Sequence, residues 1–528
     1  MTENYLNILA ETIRNNWDQP ALTDFYLTED GSAQDTSRGN HYTYGEMYTE
    51  ICRVANLLTS LGLQKGDHIA ICGANSAHWV IAYLAIAKMQ GVSVTVMHTL
   101  MPDEIARLIN FSDAKALFTD EDIWAELKSQ PMPQVENIIS LENFESLASR
   151  TSIIASVVPG ASSETSASSA SSPSIVGFPQ SNPDSLAMIC FTSGTSGNAK
   201  GVMVSQKTLS FLITSKKHVL SYYKQYGVNY VSFMPYAHIY GVTEEILRIL
   251  CGGLHSHIIC TNNLLRNLLV CYRIVQPMYI MTIPKILEVL IQNTQKRPLN
   301  EQKAYYLQAL GGKAKEVIMS GALLKEEEIQ YLLNLDIPFS TAYGMTEAPI
   351  TAFSLSHEYR LGTAGIITKG LQVRISPSGE ILVKGENVMI GYYKDPEATA
   401  RKIDSDGWLH TGDKGHLDED GYLYVEGRLE QDIIVLPNGE NIRPDNIESL
   451  INALPEVSES IVFARDGRLV AIAVLSSPSL QGRDRVRLSI LRAVNPQLPL
   501  FSQLYDVEIT DQPLARTEKK TIKRYIYS

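Results

Sequence analysis

Residues Thr192 to Gly201 read TSGTSGNAKG and follow directly on the apolar run Leu186 to Phe191. Ten positions hold three glycines, five hydroxyl or amide side chains and one lysine. An apolar run feeding such a loop reads as a buried strand whose end opens onto a phosphate group. Glycines let backbone N–H groups approach phosphate oxygens, hydroxyls add donors, and Lys200 brings charge. A Walker A loop is not present, because that loop needs glycine before its lysine and Ser or Thr after it, whereas Lys200 lies between Ala199 and Gly201.

The surrounding pattern fits an α/β fold. Tyr44 to Leu61 has helical apolar spacing, Asp67 to Cys72 reads as a strand, Ser76 to Met89 as a helix and Val92 to Val96 as a strand. This alternation implies βαβ units and a parallel sheet. A second alternation from Leu186 to about Leu335 predicts a further parallel sheet, and the short strands and Gly-rich turns after Gly365 predict a small β-rich subdomain. Near the end, a helix over Asn446 to Ala453, strands over Glu459 to Ala464 and Leu469 to Leu475 with Asp466-Gly467 between them, and a further helix predict a compact α+β domain. The expected division is a large domain over 1–428 and a small mobile domain over 429–528, with a Ser/Ala-rich insertion over 151–180 read as a surface loop or, alternatively, a modification site.

Composition sets the partners. The 528 residues carry a net charge of −12, which argues against nucleic-acid binding and requires any anion site to gather its positive charge locally. The most apolar stretch, Trp79 to Met97, is interrupted by Lys88, Gln90 and Gly91, so it reads as a buried helix and strand, leaving at most peripheral membrane contact. The first twenty residues show acids and amides where a secretory leader would be basic and then apolar, and the six cysteines form no Cys-x-x-Cys pair. Both point to a reduced, cytoplasmic protein.

TSGTSGNAKG resembles the signature loop of the adenylate-forming (AMP-binding) superfamily, with Ala199 in a slot that is usually proline. TAYGMTEA (Thr341 to Ala348), MSGALL (Met319 to Leu324), WLHTGD before GR, and the run Leu429 to Glu448 are similar to further segments of that family, so the resemblance covers essentially the whole chain outside the insertion. It implies that Thr192, Ser193, Gly194, Thr195, Ser196, Gly197 and Lys200 hold phosphates, and that Ser320, Gly321, Ala322, Tyr343 and Gly344 line the adenine and acyl pocket. It also implies that Thr346 and Glu347 face phosphate and Mg²⁺, with Glu347 the metal ligand, while Asp413 and Arg428 take the ribose and the hinge side. Gly439, beside Asn438, belongs to a loop that borders the pantetheine channel.

The resemblance also assigns a lysine from the last motif to adenylation. Here that stretch is PLARTEKKTIKRY, where Lys520 is the candidate and Lys519 and Thr521 compete for the slot. His238, in VSFMPYAHIYG, is the candidate beside the substrate carboxylate or else a structural histidine. No aspartate stands where amino-acid activators carry one, and the stretches around Met278 to Asn293 look most like fatty acyl-CoA ligases, their apolar residues either lining an alkyl tunnel or forming ordinary core. The implied reaction is ATP- and Mg²⁺-dependent activation of a medium- to long-chain fatty acid or related acid as its adenylate, followed by transfer to CoA. An acyl carrier protein is the alternative acceptor, and a catalytically impaired nucleotide-binding homologue the reading of a different class.

Overall fold

A computed structural model describes residues 3–28, 31, 33–35, 37–149, 176–192, 199–216, 219, 224, 227–260, 264–320, 324, 326–429, 434–438, 440–476, 482–515 and 526–527. Most of the 151–180 insertion therefore lies outside the described residues.

Two large sheets organise the first 428 residues. The first has eight strands, with Leu186–Thr192, Val92–Thr95, His68–Cys72, Ala116–Thr119 and Asn137–Ser140 running parallel side by side. The strand Leu186–Thr192 had been expected to open a second sheet. Instead it joins the first, beside Val92–Thr95, and its antiparallel partner Lys200–Ser205 extends the edge toward Gly391–Tyr392. Its central residues are buried on both faces, as a run of Met, Ile and Cys without polar alternation requires.

The second sheet has nine strands. Tyr279–Thr282, Glu316–Met319 and Phe339–Met345 run parallel, and from Ala348–Phe353 onward the order continues antiparallel through Gly365–Ile367, Tyr422–Arg428, Leu409–Leu417, Glu380–Lys384 and Gln372–Ile375. The short strands after Gly365 thus form the antiparallel half of this sheet. A smaller four-stranded sheet, Asn229–Ser232, His255–Ile259, Pro20–Phe25 and His41–Thr43, completes this part.

Helix boundaries follow local chemistry. Thr43 and Glu46 close a reciprocal capping box on the helix Tyr44–Ser60, and Ser76 caps Ala77–Lys88 by accepting from the Trp79 N–H. Ala77 through Ala87 are buried all round, which explains the apolar run: the helix is packed against protein on every side. Among the described residues no helix is long and apolar enough to cross a membrane.

The last part is α+β. Val457–Arg465 and Arg468–Leu475 form a hairpin turned at Asp466-Gly467, Asp506–Thr510 adds a parallel strand, and the helices Pro444–Asn452 and Arg483–Val494 cover them over a core of its own.

Candidate active site

Three hairpins bring the motif residues to one place. In the first sheet Thr192 stands opposite Lys200 across the antiparallel pair, so both mark the neck of the glycine-rich loop, and Thr192, Ala199 and Lys200 line a cleft of about 1780 Å³. Ser193, Gly194, Thr195, Ser196 and Gly197 lie outside the described residues. In the second sheet Met345 pairs with Ala348, which makes Thr346 and Glu347 the two turn residues of a tight hairpin. Gly344 sits where the register slips, and a Cβ there would stand 2.3 Å from the Ile350 nitrogen. The third hairpin sets Asp413 opposite Arg428.

The side chains then interlock. Tyr343 donates its phenolic proton to Asp413 Oδ2 at 2.6 Å. Asp413 is buried, and its backbone N–H donates to Thr411 Oγ1 at 3.0 Å, while Glu380 accepts from the Gly412 N–H at 2.9 Å and holds His410. Glu347 is also buried and accepts from the Tyr392 hydroxyl at 2.7 Å. Lys200 places its ammonium 4.7 Å from the centroid of the same Tyr392 ring. Burial and the neighbouring Glu347 carboxylate raise the Tyr392 phenol far above its ordinary pKa, so it remains a donor.

The opposite wall carries the remaining candidates. His238 and Ser320 line the cleft, Ser320 with its N–H donating to the Thr282 carbonyl at 3.2 Å. Facing them is the loop after Ile434–Val435: Lys285 donates its backbone N–H to the Pro437 carbonyl at 3.1 Å, and Glu440 Oε1 stands 3.7 Å from His238 Nε2. Pro437, Asn438, Glu440 and Arg443 line the same cleft. Gly321, Ala322, Gly439, Lys519, Lys520 and Thr521 lie outside the described residues, and Arg428 is placed by its backbone alone.

Two relations in this site carry no local signal in the sequence. Tyr392 is remote from Glu347 along the chain and reaches it because Gly391–Tyr392 pairs with Met203 and Val202, just after Lys200. Glu440 stood in a recognised run but gained a partner only through the packing of the last part against the first.

The geometry agrees with comparison to known proteins. A family model described as AMP-binding enzyme matches residues 9–393, and one described as AMP-binding enzyme C-terminal domain matches residues 431–527. Among curated relatives, the chain is 28% identical to probable CoA ligase CCL5 of Humulus lupulus over 81% of this chain and 77% of that protein. It is 26% identical to 4-coumarate–CoA ligase 4 of Arabidopsis thaliana over 89% and 83%, and 25% identical to long-chain-fatty-acid–CoA ligase FadD15 of Mycobacterium bovis over 86% and 80%. The solved amide bond synthetase McbA from Marinactinospora thermotolerans superposes with a TM-score of 0.76 at 21% identity, covering 99% of each chain, and so shares the fold. With Lys200, a Thr-Glu hairpin turn and a part-buried Tyr–Asp pair on one cleft, and family models matching most of its length, the chain belongs to the AMP-binding enzyme family.

Proposed function

We propose that this protein is an ATP-dependent acid:CoA ligase that works through an acyl adenylate. The observation that carries the reading is the convergence of Lys200, Thr346, Glu347, Tyr343, Asp413 and His238 on one cleft that a loop of the last hundred residues also lines. In the first half-reaction a carboxylate oxygen attacks the α-phosphorus of ATP and pyrophosphate leaves. In the second, the CoA thiol loses its proton, its sulfur attacks the acyl carbon, and AMP leaves.

Each group has a task that its position supports. Both reactants of the first step are anions, so the site must offset their repulsion, and Lys200 at the neck of the loop supplies fixed positive charge. Asp413, held by Tyr343, is an acceptor for ribose hydroxyls. Among the described residues no cluster of three or more His, Cys, Asp or Glu could hold a metal alone. Glu347 and Thr346 offer hard oxygens beside the phosphate loop, a donor set that fits Mg²⁺ shared with phosphate, and the ion would neutralise charge on the transferring group. His238 is assigned to the acid and Lys520 to the adenylation step. The loop around Pro437 and Glu440 facing His238 supports an arrangement suited to thioester formation, with the junction near residues 428–429 as the hinge.

For the acid we propose an aliphatic, fatty-acid-like substrate, supported by the likeness to long-chain-fatty-acid–CoA ligases and by the apolar wall of Ile239, Ile283, Met319 and Ile350. The likeness to 4-coumarate–CoA ligases makes aryl acids the second reading. The test is pyrophosphate release from ATP and Mg²⁺ over a panel of fatty, dicarboxylic and aryl acids, with and without CoA. Acid-dependent release with acyl-CoA formation is expected and should drop at least tenfold in Lys200→Ala, by the scale of one lost charge-assisted contact. Release without CoA consumption would point to a carrier-protein acceptor, and ATP binding without any release would establish the impaired homologue.

A further inference from the structure

Beyond His238 the cleft wall continues through Ile239, Tyr240 and Thr243, the last lying in a π-helical segment, Gly241–Leu247, whose wide turns mark functional sites in many helices. Behind that wall lies a buried charge cluster. Arg248 is wholly buried, its Nε and Nη2 donating to Glu244 at 2.6 and 2.8 Å and Nη2 also to the Leu212 carbonyl at 2.6 Å. Among the described residues its buried Nη1 has no acceptor, and the buried phenolic oxygen of Tyr240 has no hydrogen-bond partner.

Lys216 is the third member. It is 5% exposed and rests its ammonium on the Phe353 ring, 3.5 Å from the centroid. Among the described residues no carboxylate comes within ion-pair distance of it, since Glu244 is engaged with Arg248. Glu245 faces elsewhere, accepting from Ser232, Phe233, Met234 and Tyr230. With Lys216 protonated, the cluster would carry one positive charge beyond the Arg248–Glu244 pair. Glu244 and Arg248 lie close enough to act on the ionisation of both Lys216 and Tyr240, and burial pulls the Lys216 ammonium well below its ordinary pKa, as expected of a cation waiting for a counter-ion.

Phe353 separates this cluster from the cleft: it pairs with Ala342 across the hairpin, borders one apolar cluster together with Tyr240 and a second that contains Ile350, and Ala342, Tyr240 and Ile350 line the cleft. Buried polar groups are as a rule hydrogen-bonded, so two buried donors with no acceptor among the described residues, beside an amine with no carboxylate in ion-pair reach, describe a missing acceptor. A water could accept two bonds without supplying charge, whereas a carboxylate supplies both.

We propose that Tyr240, Arg248 and Lys216 form a subsite at the far end of the acid pocket for a second carboxylate, so that the substrate is an aliphatic dicarboxylic acid activated at one end. This rests on the acid:CoA ligase reading, keeps its aliphatic chain and replaces the alkyl terminus of a fatty acid with a second carboxylate. An alkyl terminus would leave the donors unsatisfied and set apolar surface against a cation.

The test uses matched pairs of acids that differ only at the far end, such as octanoate with suberate and butyrate with succinate, followed by pyrophosphate release on the full chain. The expected result is a kcat/KM at least about tenfold higher for the diacid in one pair, the scale of one charge-assisted hydrogen bond. In Lys216→Met, which keeps length and volume, that ratio should fall toward one through a rise in diacid KM, without a fall in Tm, since an apolar isostere for a buried charge is commonly neutral or stabilising. Equal use of both members of every pair by the unmodified protein overturns the subsite, and so does a Lys216→Met change that lowers both acids alike and leaves the ratio where it was. Silence with every acid overturns the ligase reading itself and this one with it, a result distinct from turnover without preference.

Discussion

The hydroxyl of Tyr392 donates to Glu347 at 2.7 Å while the face of the same ring holds the ammonium of Lys200, 4.7 Å from its centroid. One phenol thus contacts both a carboxylate and an ammonium that line the cleft. It engages Glu347 through Oε1, and under the proposed function the second carboxylate oxygen would serve the cation.

Tyr392→Phe removes that hydrogen bond and keeps the ring. The expected result is a loss of about tenfold in kcat/KM for ATP and a Mg²⁺ titration displaced to higher concentration, matching the roughly 1.5 kcal/mol of a hydrogen bond to a charged group. Pyrophosphate release measured against Mg²⁺ checks this. An unchanged Mg²⁺ curve would show that Tyr392 serves packing alone.

The Tyr343–Asp413 pair makes a separate prediction. Asp413→Asn keeps the shape and the Tyr343 contact but weakens the acceptor, so under the proposed assignment of Asp413 to the ribose, which does not react, KM for ATP should rise about tenfold with a smaller change in kcat. Steady-state kinetics with ATP and with 2′-deoxy-ATP separate the cases. If the variant penalises both nucleotides equally relative to the unmodified protein, Asp413 does not read the 2′-hydroxyl.

Glu440→Gln tests the contact that joins the two parts of the chain. His238 and Glu440 are only partly buried and 3.7 Å apart, so the contact, an ion pair only with His238 protonated, is worth at most about 1 kcal/mol. Single-turnover measurements should show acyl-adenylate formation within about twofold of normal and transfer to CoA slowed by roughly threefold, the rate equivalent of that energy. Slowing of adenylate formation instead would assign Glu440 to the first half-reaction.

A pH effect on stability is expected away from the site. Asp120 accepts from the Ala74 N–H at 2.7 Å, and burial, reinforced by Glu142 and Asp122, pushes its pKa up to about 7. The folded chain then keeps a proton that the unfolded chain releases near pH 4, so this group favours folding at low pH and that contribution is lost as pH rises from about 4 to 7. Asp120→Asn retains an acceptor for Ala74 and cannot ionise. It should melt a few degrees higher than the unmodified protein at pH 8, with the difference vanishing near pH 4. Equal melting shifts at both pH values would place the Asp120 pKa in the ordinary carboxylate range.

Much of this was legible along the chain. Ser76 and Thr43 announce their helices, the uninterrupted apolar runs at Leu186 and Ala77 announce burial on all sides, and Asp466-Gly467 announces a hairpin. Each of these rests on residues within a turn or two of one another, where backbone geometry and side-chain chemistry suffice. The turn at Thr346 and Glu347 was readable for the same reason.

What the sequence by itself determined, then, was the kind of element at each position and the chemistry each motif could offer. Only the tertiary structure decided that the strand Leu186–Thr192 joins the first sheet, that Tyr392 stands between Lys200 and Glu347, that Glu440 meets His238, and that Lys216 is buried against the Phe353 ring with no carboxylate in ion-pair reach among the described residues. Those relations join residues far apart in the chain through sheet order and packing. No local periodicity encodes which strands become neighbours, and a lysine in a polar-looking stretch carries no mark of the dielectric in which it will stand.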